Sequence, residues 1–289
     1  MKIGVITKGI GGFYYIDTGE DVYECRARGK FRLEKITPLV GDIADIEVDD
    51  RQGYILNIHP RTNEMIRPAI ANVDQVMMVF AAKSPDINMS LLQKFLLYAE
   101  YVRIKIIVCI NKIDLDENQD YKAVVEMLST VPYSVILTST KQQIGIEELK
   151  AALKNKTTVF AGPSGAGKSS LLNLVQTGLV LKTGDLSKKI DRGTHTTRHA
   201  ELINLEIGGR VADTPGFTSL ELLNNIEAEK LQLLFPEFEQ HTNCKFSRCL
   251  HDTEPQCGVK AALHEGYISK IRYEYYISLL KELKEIRRY

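Results

Sequence analysis

The sequence has no surplus of charge of either sign: 37 Lys and Arg balance 37 Asp and Glu over 289 residues. No global field draws the chain to nucleic acid, and any such affinity must come from local patches. It has no apolar run approaching the roughly 20 residues of a membrane span, so no membrane partner is expected. Met1-Lys2-Ile3-Gly4 leads straight into strand-like sequence; no signal peptide is expected, and the expected location is the cytoplasm. Cysteine is scarce, with five in all, an odd count. Three of them sit close to one another and to a histidine, which favours a metal site in a reducing compartment over disulfides. A hydrophobic content of 44% excludes disorder. The length exceeds one ordinary domain, so two or three are expected.

What is present is organised around Gly162-Pro163-Ser164-Gly165-Ala166-Gly167-Lys168-Ser169. This reads G-x-x-x-x-G-K-S, a phosphate-binding loop. Thr157 to Ala161 before it looks like a buried strand, and Ser170-Leu171-Leu172 after it opens a helix. Glycines let backbone N–H groups converge on a phosphate, and the helix N-terminus adds partial positive charge. Lys168 is expected to reach the β- and γ-phosphates, and the Ser169 hydroxyl to ligate Mg²⁺, with Ser170 in the same turn of the nucleotide site.

An α/β alternation surrounds this loop. Val73 to Phe80 reads as a strand, Ser90 to Gln93 as a capping box opening a helix to about Tyr101, and Ile104 to Ile110 as a central strand. At its end stands Asn111-Lys112-Ile113-Asp114. A carboxylate at Asp114 can accept two hydrogen bonds from guanine, and adenine offers neither donor. Asn111 can bond the base edge and tie loops together, while the Lys112 stem can cover the ring. A helix over Tyr121 to Leu128 and a strand over Tyr133 to Leu137 lead to Thr138-Ser139-Thr140, which resembles the loop that backs guanine in GTPases; Ser139 is its candidate contact. A helix over Ile146 to Leu153 enters the phosphate-loop strand.

Downstream, Gly193-Thr194-His195-Thr196-Thr197 offers a switch threonine for Mg²⁺, either Thr196 or Thr197. Asp213-Thr214-Pro215-Gly216 is a D-x-x-G motif, in which Asp213 holds Mg²⁺ through water and the Gly216 N–H reads the γ-phosphate. Phe217 follows, where many GTPases carry a water-orienting glutamine, so His195 is the candidate catalytic residue. The motif order is displaced, because N-K-x-D and Thr138-Ser139-Thr140 come before the phosphate loop. The same sheet forms if the usual termini are joined and the chain is cut after the second switch. A circularly permuted P-loop GTPase domain is expected.

Before this unit, five short strands separated by glycine turns predict an OB-fold barrel. Arg26, Arg28, Lys30 and Arg32 alternate, which in an extended strand would align four cations on one face. With Tyr23 and Phe31 nearby they can bind RNA through phosphates and stacking, or form a solvated strand face. Cys25 and Cys109 read as packed thiols. Arg67-Pro68 reads as a linker. After the GTPase unit, Cys244, Cys249, His251 and Cys257 are spaced C-x₄-C-x-H-x₅-C, a closed four-ligand set for one structural Zn²⁺. Ile268, Ile271, Tyr275, Leu279, Leu283 and Ile286 predict one apolar stripe on a terminal helix, with Lys281, Lys284, Arg287 and Arg288 on its polar face. The expected organisation is multidomain: an all-β OB-fold domain at 1–66, the α/β GTPase domain at 67–223 and an α-helical zinc-binding domain at 224–289.

Taken with Arg67-Pro68, Ala71-Asn72-Val73-Asp74 and Arg272-Tyr273, these motifs resemble the RsgA family, also called YjeQ or YloQ. Its members are bacterial circularly permuted GTPases acting on the small ribosomal subunit, and the resemblance covers nearly the whole chain. It implies a late small-subunit maturation factor whose GTPase is stimulated by that particle. It also implies that the barrel and zinc domain grip ribosomal RNA and that hydrolysis triggers release. The family's hydrophobic residue after D-x-x-G matches Phe217, and its histidine beside the switch threonines matches His195. Nothing requires more than a monomer.

Overall fold

Alternation of apolar and polar residues, punctuated by turns, closes the first sixty residues into a barrel. The computed structural model describes residues 1–49, 52–65, 68–176, 200–213 and 226–286. Strands β1 (Lys2–Ile10), β2 (Phe13–Asp17), β3 (Val22–Ala27), β4 (Ile43–Asp49) and β5 (Gln52–Ile58) join in the order β1-β2-β3-β5-β4. Their inward residues Ile6, Ile16, Cys25, Ala44, Ile46 and Ile55 are fully buried. This is the expected five-stranded barrel. The expected basic strand face is not there. β3 ends at Ala27, and Lys30–Leu33 forms a single helical turn, α1. Gly29 interrupts the strand, and the turn lets Phe31 bury its ring in the barrel core beside Tyr23. Neither aromatic is therefore presented for stacking.

The chain leaves the barrel through a two-stranded ribbon, β6 (Glu64–Met65) with β7 (Ile70–Ala71). Arg67 lies outside the described residues. Met65, Ile70 and the barrel-side Val40 are buried in the core of the next unit, so the connection is packed rather than free. That unit is a six-stranded sheet in the order β10-β9-β8-β11-β13-β12. Its strands are β8 (Gln75–Ala81), β9 (Lys105–Asn111), β10 (Ser134–Leu137), β11 (Thr157–Ala161), β12 (Leu202–Asn204) and β13 (Arg210–Asp213). All pair in parallel except the edge strand β12. β8 is buried along its whole length, as a strand covered on both faces must be. Helices α2 (Met89–Tyr101) and α3 (Tyr121–Ser129) cover one face; α4 (Ile146–Leu153) and α5 (Lys168–Val175) cover the other.

The capping box expected at Ser90 is also absent. Asn88 caps α2 by accepting the Leu91 N–H at 2.9 Å. Gln93 is buried and turned outward to the C-terminal unit instead of back to the helix start. That unit comprises α6 (Ala228–Leu231), two 3₁₀ turns over Gln232–Leu234 and Pro236–His241, α7 (Gly258–His264) and α8 (Lys270–Ile286). Phe235, Phe238 and Tyr276 form its aromatic centre, with Tyr276 edge-on to both phenylalanines at 5.1 and 5.0 Å. The buried face of α8 is rotated from the expected stripe: Arg272, Tyr276, Leu279, Leu280 and Leu283 are inside, while Ile271 is 38% exposed. An acidic partner for Arg272, Glu237, draws that face inward. Among the described residues no helix is long and apolar enough to cross a membrane.

Candidate functional site

The phosphate loop leaves β11 at Ala161 and ends at Gly167, which caps α5. Two of its glycines are obligatory. Gly162 has φ +142° and a Cβ there would lie 2.0 Å from the Val79 carbonyl oxygen; Gly167 has φ +94° and a Cβ would lie 2.2 Å from Asn111 Nδ2. Lys168 folds back over the loop, its Nζ donating to the carbonyls of Gly162 (2.8 Å) and Pro163 (3.1 Å). Pro163, Ser164, Gly165, Ala166, Ser169 and Ser170 complete the loop and the first helical turn.

Asn111 ends β9, two strands away, and is fully buried. Its Nδ2 donates to the Ala166 carbonyl at 2.9 Å, and its Oδ1 accepts the Thr138 hydroxyl at 3.1 Å. One side chain thus ties the phosphate loop to the exit of β10. Lys112 takes the left-handed conformation at φ +59°, which turns the chain so that Ile113 and Asp114 follow in a 3₁₀ turn. Asp114 accepts the Ser139 hydroxyl at 2.6 Å, and Ser139 Oγ accepts the Gln142 N–H at 3.0 Å. The Asp114 carboxylate and the loop after β10 are therefore one hydrogen-bonded unit. Lys112 Nζ donates to the Ser84 carbonyl at 2.5 Å, and Pro85 stands where a Cβ on Gly165 would come within 3.4 Å of its Cδ. The β8–α2 loop thus borders both motifs. No sequence pattern marked Ser84, Pro85 or the bridging role of Thr138, because each acts through a fold-dependent neighbour.

β13 runs beside β11 with Asp213 opposite Phe160, which brings the first residue of the D-x-x-G motif to the phosphate-loop end of the sheet. The Asp213 side chain, and His195, Thr196, Thr197, Gly216 and Phe217 entirely, lie outside the described residues. On the barrel, Arg26 stacks over Phe13 at 4.5 Å, Lys30 lies over Phe31 at 5.3 Å, and Arg28 is paired with Glu47. The Arg32 side chain lies outside the described residues. The four cations do not share one strand face, since the strand ends before Arg28, and Arg28 is partly neutralised by its partner.

The C-terminal cluster holds together. Cys244 Sγ is 3.9 Å from Cys257 Sγ and 3.6 Å from His251 Nδ1, and His251 Nδ1 is 3.3 Å from Cys257 Sγ. The four ligand atoms, Cys249 Sγ included, lie within 4.8 Å of one another. Tetrahedral zinc with bonds of about 2.0–2.3 Å separates its ligands by roughly 3.5–3.8 Å, so the set fits that ion. His251 Nε2 is 2.7 Å from Gln232 Oε1, which fixes the N–H on Nε2 and leaves Nδ1 to face the thiols. Burial holds the imidazole below its ordinary value, favouring the neutral ligand form. Backbone N–H groups of His251 and Gly258 point at Cys249 Sγ and Cys244 Sγ, each at 3.4 Å. Gln232 carried no signal in the sequence.

A second polar cluster was not anticipated. Arg272 is 1% exposed. Its Nε and a terminal nitrogen donate to the two Glu237 oxygens at 2.7 and 3.2 Å, and its guanidinium lies 4.7 Å above the Phe235 ring. A further contact of 3.5 Å reaches Gln93 Oε1 on α2, and Gln93 donates to the Ile271 carbonyl at 3.4 Å.

A phosphate loop after a central strand, and an N-K-x-D tetrapeptide two strands away that precedes it in the chain, define a circularly permuted P-loop GTPase. The RsgA GTPase family model matches residues 58–223, and the RsgA N-terminal domain model matches residues 3–55. The chain belongs to the RsgA family. The small ribosomal subunit biogenesis GTPase RsgA of Caldanaerobacter subterraneus subsp. tengcongensis is 49% identical over 284 residues, covering 98% of this chain and 96% of that protein. The protein of the same name from Alkaliphilus metalliredigens is 48% identical over 293 residues and is matched over the full length of both. Among solved structures, YjeQ from Thermotoga maritima has a TM-score of 0.85 at 38% identity, covering 98% of each chain. YloQ, a circularly permuted GTPase, has a TM-score of 0.81 at 41% identity, covering 99% of this chain and 96% of that one.

Proposed function

We propose that this GTPase acts in biogenesis of the small ribosomal subunit, hydrolysing GTP while bound to the particle during its late maturation. What carries the reading is that relatives named for that role match the chain from end to end, barrel and C-terminal unit included. The units proposed are the OB-fold at 1–66, the GTPase at 67–223 and the zinc-binding helical unit at 224–289. The first and last contact ribosomal RNA, the barrel through Arg26, Arg28, Lys30 and Arg32. The protein works as a cytoplasmic monomer.

In the reaction, water attacks the γ-phosphorus of GTP in line with the leaving β-phosphate, giving GDP and phosphate. Loop N–H groups of Gly162 and of Ser164 to Ser170, the α5 terminus and the Lys168 ammonium hold the triphosphate and take up the charge that develops on its oxygens, with Pro163 shaping the loop. Asp114, held by Ser139, reads guanine, with Asn111, Lys112 and Ile113 shaping that end of the site. Bound Mg²⁺ neutralises phosphate charge; Ser169, Asp213 and Thr196 or Thr197 are its proposed holders, and the Gly216 N–H meets the γ-phosphate. Phe217 cannot orient the water, so His195 takes that role. His195→Ala is expected to lower maximal hydrolysis about 100-fold, and an unchanged rate sinks the assignment. Zn²⁺ at Cys244, Cys249, His251 and Cys257 supplies structure, with no ligand position left open for chemistry.

Phe217 also favours a second reading, in which nucleotide locks an RNA-binding conformation and turnover is incidental. Phosphate release from GTP and from ATP, with purified small subunits and with large subunits as control, separates the two. GTP-only turnover that rises with small subunits alone supports the first; a slow rate indifferent to every particle supports the second.

A further inference from the structure

The two switch motifs flank one hairpin. Thr196 and Thr197 lie just upstream of β12, and Asp213 ends β13. With strands of three and four residues, this hairpin has little stability of its own. The barrel holds it at two points. At the switch end, Lys8 of β1 pairs with Glu201 in an antiparallel bridge, and the two side chains meet at 3.1 Å. At the turn end, Asp17 of β2 is 9% exposed and its Oδ2 accepts the Asn204 amide at 2.6 Å. Asn204 Oδ1 accepts Arg210 Nε at 3.1 Å, and an Arg210 terminal nitrogen lies 3.9 Å from the same Asp17 oxygen. Asn204 and Arg210 are also register partners across the hairpin, so one barrel carboxylate engages both strands. The other Asp17 oxygen accepts the Gly19 N–H at 2.8 Å, which fixes the carboxylate on its own turn. Val5 of β1 and Ala200, next to Glu201, also pack on the GTPase core.

We infer that Asp17 and Lys8 are positioning residues that couple the barrel to the switch-bearing hairpin, so that nucleotide state and the barrel's setting bias each other. A hydrogen bond of this length does not survive a shift of about 1 Å, so a hairpin that moves with the γ-phosphate must carry the barrel or release it. The coupling is reciprocal: what nucleotide does to the barrel, a ligand on the barrel does to the nucleotide site. The barrel's ligand as ribosomal RNA rests on the function proposed above; the coupling itself does not.

The test is hydrogen exchange of the full-length protein in GDP and in a non-hydrolysable GTP analogue. Amides of residues 2–17 are expected to differ between the two states in the wild type. That difference should fall at least about threefold in Asp17→Ala and persist in Asp17→Asn, which retains an acceptor for Asn204. Barrel amides indifferent to nucleotide in the wild type, or a full difference in Asp17→Ala, overturn the inference. Should Asp17→Ala fail to fold, the more exposed ion pair serves instead. Lys8→Glu should abolish the difference and Lys8→Glu/Glu201→Lys restore it, and a double variant no better than the single one overturns the coupling. A second arm measures GTP turnover with small subunits. Asp17→Ala should keep the basal rate and lose about tenfold in stimulated rate. If the wild type is not stimulated at all, the functional reading fails while the exchange result still decides the coupling.

Discussion

Asp114 and Ser139 sit 25 positions apart and meet at 2.6 Å, so the carboxylate proposed to read guanine is aimed by a loop from the next strand. Asp114→Asn is expected to weaken GTP about 100-fold, since a donor then faces the guanine donors, and to strengthen xanthosine triphosphate. Competition binding with the two nucleotides checks this, and an unaltered preference removes Asp114 from base reading. The residues of this site were legible to the degree that fixed spacing encodes them. Gly162 to Ser169 and Asn111 to Asp114 could be read because local backbone geometry imposes the pattern. Thr138 joining Asn111, Ser84 receiving Lys112 and Gln232 holding His251 could not, because each pairs residues that only the fold brings together.

The elements tell the same story with a different physical limit. α4 and β11 fall where the sequence placed them: Ile146, Leu149 and Leu153 recur at helical spacing, and Thr158 to Ala161 form one continuous buried run. The terminal helix α8 is there too, with Ile268, Leu279 and Leu283 of the expected stripe buried, but its inner face also takes in Arg272, which reads as a surface residue until Glu237 is seen beside it. Both are 1% exposed. Glu237→Gln leaves a buried cation short of its counter-charge and is expected to cost about 3–5 kcal/mol, whereas replacing both residues with Met should cost much less. Denaturant unfolding compares them, and equal losses would place the effect in packing alone. On the facing helix, burial pushes the Glu100 carboxyl above its ordinary value of 4.5, opposed by a hydrogen bond from Tyr133 and by Arg272 and helped by Glu237. A raised folded value means that the protonated form contributes stability below about pH 4.5, which is lost as pH rises through the folded value. Glu100→Gln removes that loss. Its unfolding midpoint should gain on the wild type as pH rises from about 4.5, and a gap that stays constant throughout that rise would exclude the linkage.

At the scale of the molecule, the sheet order is what makes the displaced motifs intelligible. Sequence order alone showed the permutation, because the motifs have separate signatures that survive rearrangement. It did not show how the units touch, since the contacts use single residues such as Asp17, Gln93 and Val40. Cys249 and Cys257 belong to the same apolar cluster as Phe238 and Tyr276, so chelation should loosen the whole C-terminal unit. The expected loss is on the order of 10 kcal/mol of local folding free energy. It would be read as lost exchange protection over 226–286, and full protection after complete metal removal would show that the core stands without it. Leu97 of α2 is buried in that same cluster, while Val40 and Met65 are buried in the sheet's own core from the other side. An excised GTPase fragment would therefore carry two raw apolar wounds, and its turnover would describe a damaged protein, so the resting rate of this enzyme has meaning only for the uncut chain.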